Sequence, residues 1–248
     1  MNPLQTLVED PRGGIPLPPA LHDLYGGDLM VPEQGVYSNF VGSLDGVVAL
    51  GDAAASSGPA ISGRSEADRF VMGLLRAAAD CVLIGAGTFR DDPGVLWTPG
   101  FVYPDLAGEF AALRRTLGLP EAPALAVLTA SGELDRSRRA FSEQEVIVVG
   151  PGWEPAAEVI AGLRARGFRR VLCEGGPHLL GELVRARLLD EIFLTLSPVL
   201  AGSATDHVRL KMVEGVELLP AEGAWCRLLG LKRHGGHLFL HYSVNRDG

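Results

Sequence analysis

Between residues 80 and 196 short apolar runs alternate with amphipathic stretches, and this alternation constrains the fold more than any other feature of the 248-residue chain. Residues 81–84, 124–129, 145–149, 169–173 and 191–196 are mostly apolar and too short for helices of ordinary length. Strands of this composition are covered on both faces. Between them, residues 105–117, 155–166 and 177–187 place apolar side chains at helical spacing, with Phe110, Leu113 and Leu117 on one stripe of the first. Strands separated by helices pair in parallel, because the chain must cross back before it can pair again. The expectation is an α/β fold: a mainly parallel sheet with helices on both faces.

The flanking segments add to that core. A helix over 65–79 carries Phe70, Val71, Leu74, Leu75 and Ala78 on its apolar side, with Glu66, Asp68 and Arg69 near its start and Arg76 near its end. Residues 36–41 read as a first strand, Asp45-Gly46 as a turn, and 47–50 as a short second strand. Residues 53–63, small and rich in Gly and Ser, read as a flexible loop able to lie over a ligand. From 216 the pattern changes to strands alone: 225–233 and 237–244 flank His234-Gly235-Gly236, an antiparallel hairpin expected to close the sheet's edge. Residues 1–34 hold six of the 17 prolines and read as an irregular arm with one short helix near 21–25, leaving 35–248 as a single domain.

A formal net charge of −8 argues against nucleic acid or a membrane surface as partner, because both need a basic face. No stretch approaches the ~18 apolar residues of a membrane span, and the N-terminus lacks a basic segment leading into an apolar run. Cys81, Cys173 and Cys226 form no C-x-x-C pair and read as buried thiols in a reducing cytoplasm. His234, His237 and His241 cluster about the hairpin turn, but near a turn they are expected to be solvated and without a carboxylate, so no metal is expected. A small molecule is the expected partner.

Chemistry is expected at the glycine turns. In Glu174-Gly175-Gly176-Pro177 a strand ends and a helix begins: glycine lets the backbone approach a ligand, and proline suits the first helical position. The turn is either an anion site, a diphosphate above all, or a plain helix start. Gly85-Ala86-Gly87-Thr88 follows another strand, yet Arg90 stands where a Rossmann fingerprint needs its third glycine. Gly150-Pro151-Gly152 fails likewise, with Pro155 at that position, and no P-loop occurs. Arg136, Arg138 and Arg139 follow a strand end and are either a phosphate site or a solvated loop.

Taken in order, Ser43-Leu44-Asp45-Gly46, Ile61-Ser62-Gly63, Leu75-Arg76-Ala77, Gly85-Ala86-Gly87-Thr88 with Asp91-Asp92-Pro93, Glu174-Gly175-Gly176-Pro177 and Leu196-Ser197-Pro198 resemble the reductase domain of riboflavin biosynthesis over residues 36–245. The resemblance implies a three-layer fold similar to dihydrofolate reductase, a homodimer built through a sheet edge, and NADPH as cofactor. It implies reduction of the ribose of a 5-amino-6-ribosylamino-pyrimidinedione phosphate, with dihydrofolate or another pterin, or NADPH binding without catalysis, as alternatives. Carried over, Glu174 is the catalytic and substrate-contacting residue, and Arg76 and Ser62 are substrate contacts. Val41, Thr88, Asp91 or Asp92, Ser131 and the segment Gly175, Gly176, Pro177, His178, Leu179, Leu180 contact the cofactor. Physically, Arg76 could grip a phosphate or cap its own helix, and Glu174 could accept substrate hydrogen bonds or bond its own turn. One of Arg136, Arg138 or Arg139 is expected to hold the cofactor's 2′-phosphate. The chain departs from the family at Val47, where Lys or Arg is common, at Ala60, where Trp is common, and in a 88–93 loop one residue short. The zinc deaminase motif that often precedes this domain is missing.

Overall fold

In the computed structural model, residues 1–51, 57–91, 93–150, 155–204, 208–220 and 222–245 are described. The strands are β1 (Gln5–Glu9), β2 (Gly35–Gly42), β3 (Val47–Ala49), β4 (Cys81–Gly85), β5 (Ala124–Leu128), β6 (Val146–Val149), β7 (Arg170–Cys173), β8 (Glu191–Leu196), β9 (Leu210–Lys211), β10 (Cys226–His234) and β11 (His237–Val244). The helices are α1 (Pro19–Tyr25), α2 (Ser57–Ile61), α3 (Glu66–Ala78), α4 (Ala86–Asp91), α5 (Pro99–Val102), α6 (Ala107–Thr116), α7 (Ala140–Glu143), α8 (Ala156–Ala165) and α9 (Pro177–Arg185). Among the described residues nine strands form one sheet in the order β1-β10-β11-β8-β2-β7-β4-β5-β6. From β8 to β6 neighbours run parallel; β8, β11, β10 and β1 alternate in direction.

Strand alternation splits the core in two. Val82, Ile84 and Leu172 face a layer with Phe70, Leu74 and Phe110 from α3 and α6. Cys81, Leu83, Val171 and Cys173 face the other, with Ile160, Leu163, Leu180 and Leu183 from α8 and α9. This is the mixed, helix-flanked sheet that the alternation predicts. No helix among the described residues is long and apolar enough to cross a membrane.

Several details differ from expectation. The arm is not irregular throughout: β1 pairs with β10 and becomes the edge strand, so the hairpin lies inside the sheet rather than closing it. Leu4, Leu17, Leu21 and Leu29 of the arm are buried in the first core layer. The pairing is long in sequence, Gln5 with Arg233, and five residues between Pro3 and Pro11 carry little local strand signal. Lys232 secures it, donating to Thr6 Oγ1 at 2.8 Å and Gly26 O at 3.0 Å while lying over the Tyr25 ring. Because β11 is interior, His241 is buried rather than solvated, and its Nε2 is 2.8 Å from Glu191 Oε2 on β8, the carboxylate that the sequence reading denied it. Cys81 and Cys173 are buried, but Cys226 is exposed. Of the expected loop, 57–61 is helix α2; residues 53–56 lie outside the described residues, as do Pro151 and Gly152 of the third glycine turn.

Helix α3 begins at Ser65, whose side chain accepts from the Asp68 N–H at 3.3 Å. Gly73 lets α6 approach, since a Cβ there would come within 2.9 Å of the Phe110 ring. At the other end the terminal carbonyls are met by α6. Arg114, 1 % exposed, donates from Nη1 to Arg76 O (3.2 Å), Ala77 O (3.2 Å) and Ala79 O (2.8 Å), and from Nε to Pro120 O (2.6 Å). Burial pushes its pKa down to about 10, which leaves it charged at neutral pH.

Arg114→Met removes these donors from buried carbonyls, of which Arg76 O keeps only the Ala79 N–H at 3.3 Å, so urea denaturation should show a loss of about 2–4 kcal/mol. Arg115→Met, on the exposed side of the same helix, should change stability by less than ~0.5 kcal/mol; equal effects of the two would contradict this role for Arg114.

Candidate active site

The carboxyl ends of β2, β4 and β7 are neighbours on one side of the sheet, where open α/β folds bind ligands. They open into a cavity of about 950 Å³, bounded on its other side by α2 and the start of α3. Of the residues picked out in the sequence, Val41, Ser62, Arg76, Thr88, Asp91, Glu174, Gly175, Gly176, Pro177 and His178 line it. Leu179 and Leu180 do not: their side chains are packed in the second core layer. Ser131 is exposed beyond the end of β5, where its Oγ accepts from Glu133 N at 3.2 Å, outside the cavity wall. Asp92 lies outside the described residues.

The Gly-Gly-Pro turn is an open helix start. Gly176 is the N-cap of α9, Pro177 is its first residue, and no side chain caps it. The first-turn N–H groups are therefore free by helix geometry, at the positive end of the dipole. A Cβ on Gly175 would lie 2.4 Å from Leu179 Cδ2 and 3.3 Å from Gly85 N, so a side chain there would force Leu179 aside and crowd the end of β4. A Cβ on Gly176 would meet nothing closer than Thr88 Oγ1 at 3.9 Å, and that space belongs to the cavity.

Beside the turn lies a buried ion pair. Arg76 Nη2 donates to Glu174 Oε2 at 2.7 Å and Nε to the same oxygen at 3.0 Å, with both side chains under a tenth exposed. Arg76 Nη1 donates to Leu96 O at 3.3 Å and Thr98 O at 3.5 Å. Arg76 thus neither caps its own helix nor keeps a free fork for a phosphate, contrary to the sequence expectation. It holds Glu174 in place. Other motif residues are structural: Asp45 accepts from Ser43 Oγ (2.6 Å), Ala201 N and Gly202 N, which hold its carboxyl down at about 2.

Three charged residues of the cavity wall were not read as site residues in the sequence. Arg64, at a left-handed φ of 57°, and Arg69 are exposed on the wall and form no ion pair among the described residues. Asp68 is 5 % exposed and also on the wall. Burial first, then the Glu174 charge, pushes its pKa up to about 6 against the Thr195 hydroxyl, His237 and Arg69. The signal was present: Asp68 shares a helical stripe with Val71 and Leu75, both buried, and a carboxylate on an apolar stripe needs a reason. His237 Nε2 lies 3.0 Å from Ser62 O and 3.2 Å from Ser197 Oγ. No cluster of three metal-ligating side chains occurs among the described residues. Of the arginine cluster, Arg138 is given to Phe89 O and Arg90 O, and Arg139 to Glu143. Arg136 remains exposed over the Phe141 ring.

Because Asp68 is raised from 3.8 to about 6, the folded state binds its proton more tightly than the unfolded chain does. That contribution to stability is full below pH 3.8 and is lost as pH rises through 6. Asp68→Asn should therefore gain up to ~3 kcal/mol relative to wild type between pH 4 and pH 8 in denaturant melts; a difference independent of pH would refute the shift.

With this geometry in view, the similarities to other proteins become interpretable. A 2,5-diamino-6-ribosylamino-4(3H)-pyrimidinone 5′-phosphate reductase from Archaeoglobus fulgidus is 26 % identical over 228 residues, 85 % of this chain and 98 % of that protein. The Aquifex aeolicus protein of the same name is 29 % identical over 136 residues, 52 % of this chain, and the match spans 61 % of its length. The crystal structure of a pyrimidine reductase-like protein from Corynebacterium diphtheriae shares the fold, with a TM-score of 0.69 at 20 % identity, covering 92 % of this chain and 99 % of that one. Residues 34–219, which include the Gly85–Thr88 and Glu174–Pro177 turns, the Arg76–Glu174 pair and Asp68, match the RibD C-terminal domain, and the chain belongs to that family.

Proposed function

We propose that the chain is an NADPH-dependent reductase that delivers hydride to the opened ribose of a pyrimidine-ribose phosphate. The observation that carries the reading is that the bare start of α9 and the Arg76-held Glu174 open into the same cavity as Ser62 and two arginines that form no ion pair among the described residues. The names of the A. fulgidus and A. aeolicus proteins support this substrate class.

NADPH, when bound, supplies the hydride; the protein supplies position and a dry site. The free N–H groups of α9 and the Thr88 hydroxyl would hold its diphosphate, with Gly175 and Gly176 allowing close approach. Arg136 would take the 2′-phosphate, since Arg138 and Arg139 are otherwise engaged. Across the cavity Arg64 and Arg69, in place of Arg76, would hold the substrate phosphate. Glu174 would accept from a substrate hydroxyl, with Arg76 as its positioning residue. When C1 of the opened sugar imine takes the hydride and its nitrogen a proton, a ribityl amine results. The reading extends to a cytoplasmic homodimer: the buried thiols Cys81 and Cys173 are free, and the β1 edge exposes Leu7 and Val8 beside Leu228.

Trp97 lines the cavity, so its fluorescence should report NADPH binding. Gly176→Asp fits sterically but sets a carboxylate at the phosphate end, and should weaken NADPH by ~100-fold or more; in the same titration Arg136→Ala should lose the preference for NADPH over NADH. Undiminished binding by Gly176→Asp would overturn the cofactor placement. In steady-state assays the Arg64→Ala/Arg69→Ala double variant should raise KM by ~10–100-fold with kcat little changed, whereas an unchanged KM would remove the phosphate from these residues.

A further inference from the structure

We propose, resting on the reductase reading above, that Asp68 reads position 2 of the pyrimidine, so that the chain takes a 2-amino-4-oxopyrimidine in preference to a 2,4-dioxopyrimidine. The candidate substrates differ there. The pyrimidinedione phosphate implied by the sequence resemblance has a carbonyl at C2, whereas the A. fulgidus and A. aeolicus proteins are named for a 2,5-diamino compound. An amino group at C2 and the neighbouring ring N–H form an edge with two donors; a C2 carbonyl offers an acceptor instead.

Asp68 matches the first edge and opposes the second. It is buried in the first turn of α3, on the wall of the cavity, and makes no ion pair among the described residues. The groups about it are the Thr195 hydroxyl from β8, His237 from β11, Arg69 on its own helix and Glu174 after β7. His237 is already held between Ser62 O and Ser197 Oγ, and the Arg76 guanidinium is committed to Glu174. The Thr195 hydroxyl is the donor at hand, and the carboxylate lies on the cavity wall, where lone pairs that Thr195 does not use can accept from a ligand. Two parallel N–H groups supply the donors. A C2 carbonyl would set oxygen against oxygen and leave both groups unsatisfied, a repulsive element of the kind that makes a site selective.

The test compares the 2,5-diamino-6-ribosylamino-pyrimidinone phosphate with its pyrimidinedione counterpart on wild type, Asp68→Asn and Asp68→Ser. Both turnover with NADPH and calorimetric binding to protein loaded with NADP+ are read, and far-UV circular dichroism confirms that each variant is folded. Wild type should favour the 2-amino compound by ~10-fold or more in kcat/KM, and the variants should lose that preference chiefly through KM. Preference for the dione, or an equal loss on both compounds, overturns the proposal while leaving the reductase reading intact. Should neither compound be reduced, a calorimetric preference for the 2-amino compound that vanishes in Asp68→Asn sustains the role of Asp68 and removes the reductase reading; absence of any preference refutes both. Dihydrofolate presents the same amino-pyrimidinone edge without the ribose phosphate. Its reduction in place of the others, lost in Asp68→Asn, would keep the edge recognition and move the hydride acceptor to a pterin.

Discussion

A guanidinium and a carboxylate, Arg76 and Glu174, face each other 98 positions apart in the chain, almost entirely out of water. Neither charge would be tolerated there alone: removing one partner of such a pair strands the other, at a cost of about 3–5 kcal/mol. The pair therefore ties the end of α3 to the β7–α9 junction. Arg114 then holds the carbonyl of Arg76 itself, so α6, α3 and the glycine turn form one connected series. The geometry of the cavity depends on that series, because the turn carries Gly175 and Gly176 while α3 carries Asp68 and Arg69.

The two halves of the sheet serve the site differently. The parallel half ends its strands at the cavity and places helix starts there, which suits anions. The antiparallel half brings up side chains: Thr195 from β8 and His237 from β11 reach the start of α3. The N-terminal arm stays remote from the cavity and braces β10 through Lys232, completing the first core layer. The Glu174 carboxylate is paired within the protein by Arg76, whereas Asp68, buried on the cavity wall, makes no ion pair among the described residues.

Much of this was legible in order along the chain. Apolar runs such as Cys81-Val82-Leu83-Ile84 and the helical stripe of Phe70 and Leu74 carry local periodicity, and local periodicity sets the type of each element and the parallel order. The glycine turns were legible because glycine and proline constrain the backbone at the residue itself. The family resemblance rests on the same turns.

What the sequence could not settle were pairings between distant residues. Gln5 meets Arg233, His241 meets Glu191, and Arg76 meets Glu174, each through contacts that no local pattern encodes. Whether a charged side chain stays exposed or becomes half of a buried pair depends on what folds against it, and so Arg76 is buried against Glu174 while Arg69 of the same helix is exposed on the cavity wall. The sequence by itself determined the layers of the fold and the place of the glycine turns, because backbone preference and hydrophobic period act over a few residues. Only the tertiary structure decided which charges are spent within the protein and which face the cavity, because desolvation and pairing are set by neighbours distant along the chain.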